Sequence, residues 1–280
     1  MNIKITADST CDLTQALVEQ YDITITPLTV VCGGDTYLDG LEITPDALYE
    51  KIAATGQLSS TAAVNVQEYI DVFSAALQDH DAVIHFTISS DMSSCYQNAC
   101  VAAEEVGNVW VVDSRSLSTG IAHLVLDACE LAQSGMEPAD ICRELERRRE
   151  KLDVSFVVDT LEYLRKGGRC SAVAALGANL LKLHPCIFVK DGAMGVGKKY
   201  RGKLQDCLIA YVKERLANAD TVDTRRIFIT DSGVDDAIRD TVEETVRSLL
   251  PFKEVIRTRA GCTVSSHCGP GTLGILFYRK

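Results

Sequence analysis

The chain has no surplus of basic residues. Its 28 Lys and Arg stand against 39 Asp and Glu, a formal net charge of −11 over 280 residues. Binding a phosphate backbone calls for a basic face, so no nucleic-acid partner is expected. Long apolar runs are also missing, and nothing approaches the roughly 18 residues that a membrane span requires. The start, "MNIKITADST", has one lysine and a short alternating pattern where a secretory signal would have a long apolar stretch. These features predict a soluble, cytoplasmic protein with no transmembrane segment, compatible at most with transient contact with a membrane surface. Cysteine is plentiful, at 11 residues, but the count is odd, the spacing is scattered and no C-x-x-C occurs. Cys262, His267 and Cys268 lack zinc-ligand spacing, so no metal is expected. The cysteines read as small buried hydrophobes with free thiols.

The parts needed for nucleotide chemistry are incomplete. "GAMGVGKK" satisfies G-x-x-x-x-G-K through Gly192, Gly197 and Lys198, but Lys199 stands where magnesium binding needs Ser or Thr. The same stretch reads better as a hairpin, "VKDG" turning into a returning strand that includes "GKKYRG". The first strand runs into "ADSTCDL" with no glycines to admit a pyrophosphate, and no G-x-S-x-G elbow is present. One catalytic alternative survives, a hydrolase or acyltransferase assembled from Ser93, His267 and Asp113, because such triads are defined by geometry rather than chain order.

What is present is alternation. The first half reads strand "IKITA", helix over Thr14–Tyr21, strand "ITITPLTVV", a helix capped by Thr44 with Pro45 at its first position and Gly56 at its end, then helix "VQEYIDVFSAAL". Strand "AVIHFTI", helix "SCYQNACVAAEEV", strand "NVWVVD" and helix "GIAHLVLDACELAQSG" follow. Strands separated by helices predict a mostly parallel sheet covered on both faces. The charged helix "PADICRELERRREKLD" gives way to strand "VSFVVD", so a domain boundary is expected near Asp153, dividing the chain into 1–153 and 154–280. The second half is again α/β, with the hairpin, an apolar helix "AVAALGANLLKL" and a final strand "GILFYRK".

Three predicted strands end in Asp-Ser: Asp8-Ser9, Asp113-Ser114 and Asp231-Ser232. A fourth ends in Ser89-Ser90. Each pair alone is an ordinary helix cap. Together they predict a hydroxyl-rich rim at the carboxyl ends of the strands, where open α/β sheets bind ligands. "HCGPGTLGI", from His267 to Ile275, reads on its own as a tight glycine turn.

Taken in order, "ADSTCDL", the Thr61 loop "QLSSTAAVN", "ISSDMSSCYQNA", "VVDSRSLSTG", "LEYLRKGGR", "HPCIFVKDG" and "HCGPGTLGI" resemble the DegV family over essentially the whole chain. The resemblance implies a two-domain α/β fold with a mixed sheet in the C-terminal domain and a ligand tunnel between the domains. It implies a bacterial carrier, not an enzyme, that holds a long-chain fatty acid. No other cofactor is expected. The carboxyl group would be presented to a separate fatty-acid kinase, forming acyl phosphate for phospholipid synthesis. Carried over by motif, the carboxylate site falls on Thr61, Ser93 and His267. Arg169 matches a basic position near the tunnel mouth, and Arg201 is expected beside it as a second partner contact. The apolar helices "HLVLDACELA" and "AVAALGANLLKL" are expected to line the tunnel. The chain departs from the family pattern at Ala62-Ala63-Val64, where Ser-Gln-Pro is usual, and at Ser94-Cys95, where Gly-Thr is usual.

Overall fold

The computed structural model describes residues 1–174 and 183–280. Its first sheet is fully parallel, in the order β2-β1-β6-β7, from β1 (Ile3–Asp8), β2 (Thr24–Thr26), β6 (Ala82–Thr87) and β7 (Val109–Asp113). Every residue of β6 is buried, as expected for an inner strand covered on both faces. Around this sheet run α1 (Gln15–Gln20), α3 (Val66–Ala76), α4 (Cys95–Val106), α5 (Thr119–Gln133) and α6 (Pro138–Arg149). The caps follow local chemistry. Thr14 accepts from the Leu17 N–H, and Asn65 and Glu68 form a reciprocal capping box. α2 (Pro45–Thr55) begins at Thr44, which accepts from the Ala47 N–H, and stops at Gly56 in the left-handed conformation, as the sequence predicts.

The segment "ITITPLTVV", expected as one strand, is two. Pro27 has no N–H to give a ladder, and the Leu28 N–H goes instead to Ser9 Oγ at 3.1 Å. The chain therefore leaves β2 and enters a separate antiparallel sheet, β4-β3-β5, made of β3 (Thr29–Cys32), β4 (Asp35–Leu38) and β5 (Ser60–Ala62). This small sheet carries Thr61, opposite Val30.

The C-terminal sheet is mixed, in the order β10-β9-β8-β13-β11-β12. It comprises β8 (Leu152–Val157), β9 (Leu183–Lys190), β10 (Ala193–Arg201), β11 (Val222–Ser232), β12 (Glu254–Arg259) and β13 (Thr272–Arg279). Only β11 and β12 pair in parallel. "GAMGVGKK" belongs to the β9–β10 hairpin, whose turn residues Asp191 and Gly192 have φ of 52° and 86°, the left-handed pair such turns need. α9 (Leu204–Arg215) and α10 (Asp236–Leu249) cover one face around a core that includes Tyr211, Val242 and Phe277. On the other face, Val154, Phe228 and Leu276 share a core with Ile121, Leu124 and Val125 of α5.

α5 is thus a shared core helix and not a tunnel wall, since residues 120–129 are almost wholly buried. The second expected wall helix, "AVAALGANLLKL", lies mostly outside the described residues; α7 (Glu162–Gly167) and the single turn α8 (Ser171–Ala174) precede it. The glycine turn read at "HCGPGTLGI" is present, with Gly269 and Gly271 at φ of 76°, and it is preceded by α11 (Cys262–Cys268), a short helix for which the sequence offers no reading. Its Thr, Val, Ser and Cys content favours helix weakly. Long-range bonds hold it: Asp39 accepts from the Cys262 and Thr263 N–H groups at 2.7 and 3.1 Å, and Asp12 from the Gly261 N–H at 2.8 Å.

All eleven cysteines are free thiols, nine of them buried. Among the described residues, no helix is long and apolar enough to cross a membrane.

Candidate functional site

α11 is the element around which the site is built. Besides its two N-terminal carboxylates, Ser59 Oγ donates to Ser266 Oγ at 2.7 Å and the Cys262 thiol to the Ile43 carbonyl at 3.2 Å. These bonds fix the helix against the N-terminal layers, so its last turn brings His267 onto β5, where Nε2 lies 2.8 Å from Thr61 Oγ1. The C-terminal turn of α7 closes the other side of the ring. A Cβ on Gly167 would sit 2.3 Å from His267 Nδ1, so only glycine fits there. Nδ1 is buried and has no hydrogen-bond partner among the described residues.

Arg169 follows α7 and binds backbone, its Nη1 donating to the Gly167 carbonyl at 2.8 Å and its Nε to the Met92 carbonyl at 3.3 Å. It therefore ties the α7 turn to the loop carrying Ser93. The Ser93 hydroxyl is half-buried, accepts from the Cys95 N–H and contacts Cys95 Sγ at 3.2 Å. Thr61, Ser93, Arg169 and His267 all line one cavity, with about 900 Å³ of empty space counted out to its mouth.

The rest of the wall is apolar, with Ile88, Met92, Leu117, Phe156, Leu164 and Met194 prominent. Hydroxyl residues also line it; Thr263 Oγ1 is buried without a hydrogen-bond partner among the described residues, whereas others are committed within the protein. Thr230 Oγ1 lies 2.7 Å from Thr119 Oγ1 and 2.8 Å from Thr258 Oγ1. Ser232 Oγ lies 2.6 Å from the Tyr49 hydroxyl and 2.8 Å from Ser265 Oγ. Ser118 Oγ lies 2.5 Å from Asp12, and Thr272 donates to the Cys268 carbonyl at 3.0 Å. The cavity combines a cluster of polar groups with a largely apolar wall.

His267 and Asp12 are both strongly shifted. Burial, and secondarily the Arg169 charge, push the His267 imidazole down to about 4, so it is neutral at physiological pH. Burial pushes the Asp12 carboxyl up to about 8, against the opposing effect of its Ser118 and Gly261 bonds. An unperturbed histidine changes charge near neutrality; in this setting His267 does not.

The expected rim of Asp-Ser strand ends is only partly realised. Asp8 is buried under Tyr69 and His85, and Asp113 accepts from Ser90 and the Arg115 N–H. Only Asp231 and Ser232 reach the cavity, and Asp231 accepts from Arg239, Arg259 and the Val234 N–H. The alternative triad is not assembled: Asp113 serves the Ser90 turn, Ser93 contacts Cys95, and no carboxylate meets His267 Nδ1. Arg201, the last residue of β10, is exposed and does not line the cavity; Met194 is the contribution of that strand. Sequence reasoning missed Asp12, Asp39 and Gly167, which position the site. "ADSTCDL" and "RKGGR" contain two of them, with no local sign of the partner each would meet. Among the described residues, no group of three metal-ligating side chains is present.

Comparison with known proteins follows this geometry. The family model described as "Uncharacterised protein, DegV family" matches residues 2–280. A DegV domain-containing protein of Clostridium perfringens is 31% identical over 288 residues, covering 99% of both chains. A Thermus thermophilus structure titled for fatty acid binding of a DegV family protein superposes with a TM-score of 0.92, at 33% identity over 100% of both chains. A stearic acid-binding protein of Eubacterium ventriosum superposes with a TM-score of 0.86, at 28% identity over 99% of this chain and 98% of its own.

Proposed function

The chain belongs to the DegV family, and from that premise we propose that it carries one long-chain fatty acid in the cavity between units 1–153 and 154–280. The acyl chain lies along the apolar wall, and the carboxylate meets Thr61, Ser93 and His267, with Arg169 beside them. The protein is a carrier without catalytic activity of its own, and a separate fatty-acid kinase phosphorylates the presented carboxylate. The observation that carries this reading is the convergence of Thr61, Ser93, Arg169 and His267 on one largely apolar cavity. A largely apolar cavity with its polar groups clustered suits a ligand with one polar end and an otherwise inert body.

The energetics agree with a carrier. Burying about fourteen methylenes at about 0.8 kcal/mol each contributes roughly 11 kcal/mol gross. Immobilising the ligand costs about 4–15 kcal/mol, and each bond to the carboxylate adds about 1.5–3 kcal/mol before desolvation. The chain dominates affinity and the polar end orients the head. Arg201 is a contact for the kinase rather than for the ligand. Mixing the protein, a fatty acid, ATP and the cognate kinase tests the reading. Acyl phosphate is expected only with both proteins present, and its formation by this chain alone would overturn the carrier assignment.

A further inference from the structure

We propose that a second cleft binds a phosphate group, as the free ion or as a phosphate monoester. The cleft lies between the loop that follows β7, the last residue of α6 and the tip of the β9–β10 hairpin. It shares no lining residue with the cavity described above, and the proposal does not depend on the fatty-acid reading. Arg115, Arg149 and Lys190 bring three cations to it, against the carboxylates of Glu150 and Asp191. In a chain of net charge −11, a cleft with this local excess of positive charge attracts an anion.

Two donors of the cleft are uncommitted. Ser116 is 1% exposed, and its Oγ is buried with no hydrogen-bond partner among the described residues. Arg149 Nε is likewise buried and unpartnered, since Glu150 Oε1 lies 3.7 Å away, too far for a hydrogen bond. The guanidinium is nevertheless fixed, because Arg149 Nη1 donates to the Asp113 carbonyl at 2.7 Å. Arg115 reaches across to the hairpin, where it donates to the Asp191 carbonyl. Lys190 is exposed and has no ion pair among the described residues. Buried donors are rarely left unmade in folded proteins. A guanidinium edge, a hydroxyl and an ammonium make a donor set suited to a tetrahedral oxyanion, whereas a planar carboxylate offers only two oxygens. Glu150 is the competitor: its side chain is 65% exposed, and an anion on Arg149 takes its place.

The test is a titration of the full-length protein with inorganic phosphate and with methyl phosphate at fixed ionic strength, read by calorimetry and amide NMR. Both are expected to bind and to shift the Ser116, Arg149 and Lys190 signals while those of Thr61 and His267 stay fixed. Tighter binding of methyl phosphate identifies a monoester as the ligand, and tighter binding of inorganic phosphate identifies the free ion. Ser116→Ala should weaken binding about tenfold and Lys190→Gln about threefold. Glu150→Gln, which removes the competing carboxylate, should tighten it about threefold. No binding, equal binding of acetate, or shifts at Thr61 and His267 instead would overturn the proposal. So would a Glu150→Gln protein that binds no tighter, an outcome that decides even where Ser116→Ala fails to fold, because the Glu150 side chain is exposed.

Discussion

Two Thr–His pairs in this molecule have nearly the same geometry and opposite surroundings. In the parallel sheet, Thr6 Oγ1 lies 2.8 Å from His85 Nδ1, and His85 Nε2 lies 3.3 Å from Asp8. Asp8 also accepts from the Tyr69 hydroxyl at 2.7 Å and the Ile88 N–H at 3.3 Å, and Tyr69 and Phe73 pack their rings on His85. Thr6, Asp8, Tyr69 and His85 are each 0% exposed. At the cavity, Thr61 and His267 also meet at 2.8 Å, but no carboxylate backs the imidazole. The first constellation looks more like a catalytic relay, yet every valence is filled and no substrate can reach it. The second is short of partners and lines a cavity. A deficit of hydrogen bonds beside a cavity marks function better than a complete triad.

The largest test breaks the sealed side. Asp8→Ala strands a buried imidazole, a tyrosine hydroxyl and a backbone N–H, so a loss of about 3–5 kcal/mol is expected in urea unfolding. His267→Ala, which removes a ring with one partner, should cost well under half of that. Equal losses would erase the distinction between the two pairs.

Gly167→Ala presses on the open side. Its methyl would overlap the imidazole, costing about 1–3 kcal/mol and displacing His267 from Thr61. A lower Tm and a shifted His267 resonance are expected, while the His85 resonance stays fixed.

Asp12→Asn sharpens the comparison by separating the anchor of α11 from its charge. The folded pKa of about 8 exceeds the ordinary 3.8, so the folded state holds this proton more tightly. The stability contributed by Asp12 is complete below pH 4 and is lost as pH rises through 8. Urea midpoints measured from pH 5 to pH 8.5 should fall less with rising pH in Asp12→Asn than in the native chain. An unchanged slope would place the titrating group elsewhere.

The smallest effect is expected for Ser93→Ala on affinity. One bond worth about 1.5–3 kcal/mol is lost against a gross chain contribution of roughly 11 kcal/mol. Oleate should remain bound by titration while kinase-coupled turnover falls. Complete loss of binding would mean that the head, not the chain, holds the ligand.

Much of this architecture was legible locally. Thr44-Pro45 and Gly56 bracket a helix, and the unbroken apolar run "AVIHFT" marks a strand buried on both faces. What escaped depends on distant partners. α11 is held by Asp39 and Asp12, more than 220 residues away along the chain, and no local pattern announces such a helix. The strand break at Pro27 was readable in principle, because that proline cannot donate to a ladder. Asp8 and Asp113 looked like rim residues because caps and ligand contacts use the same side chains; only their partners separate the two roles. Thr61, Ser93 and His267 came from family resemblance. Spacing alone could not relate them, since Thr61 and His267 are 206 residues apart.

Mass spectrometry of the purified chain after denaturing extraction tests the central claim most directly. The account predicts one long-chain fatty acid per chain, or stoichiometric uptake of oleate or palmitate once the protein is stripped. Recovery of no acyl species, together with no uptake of either acid, would contradict it.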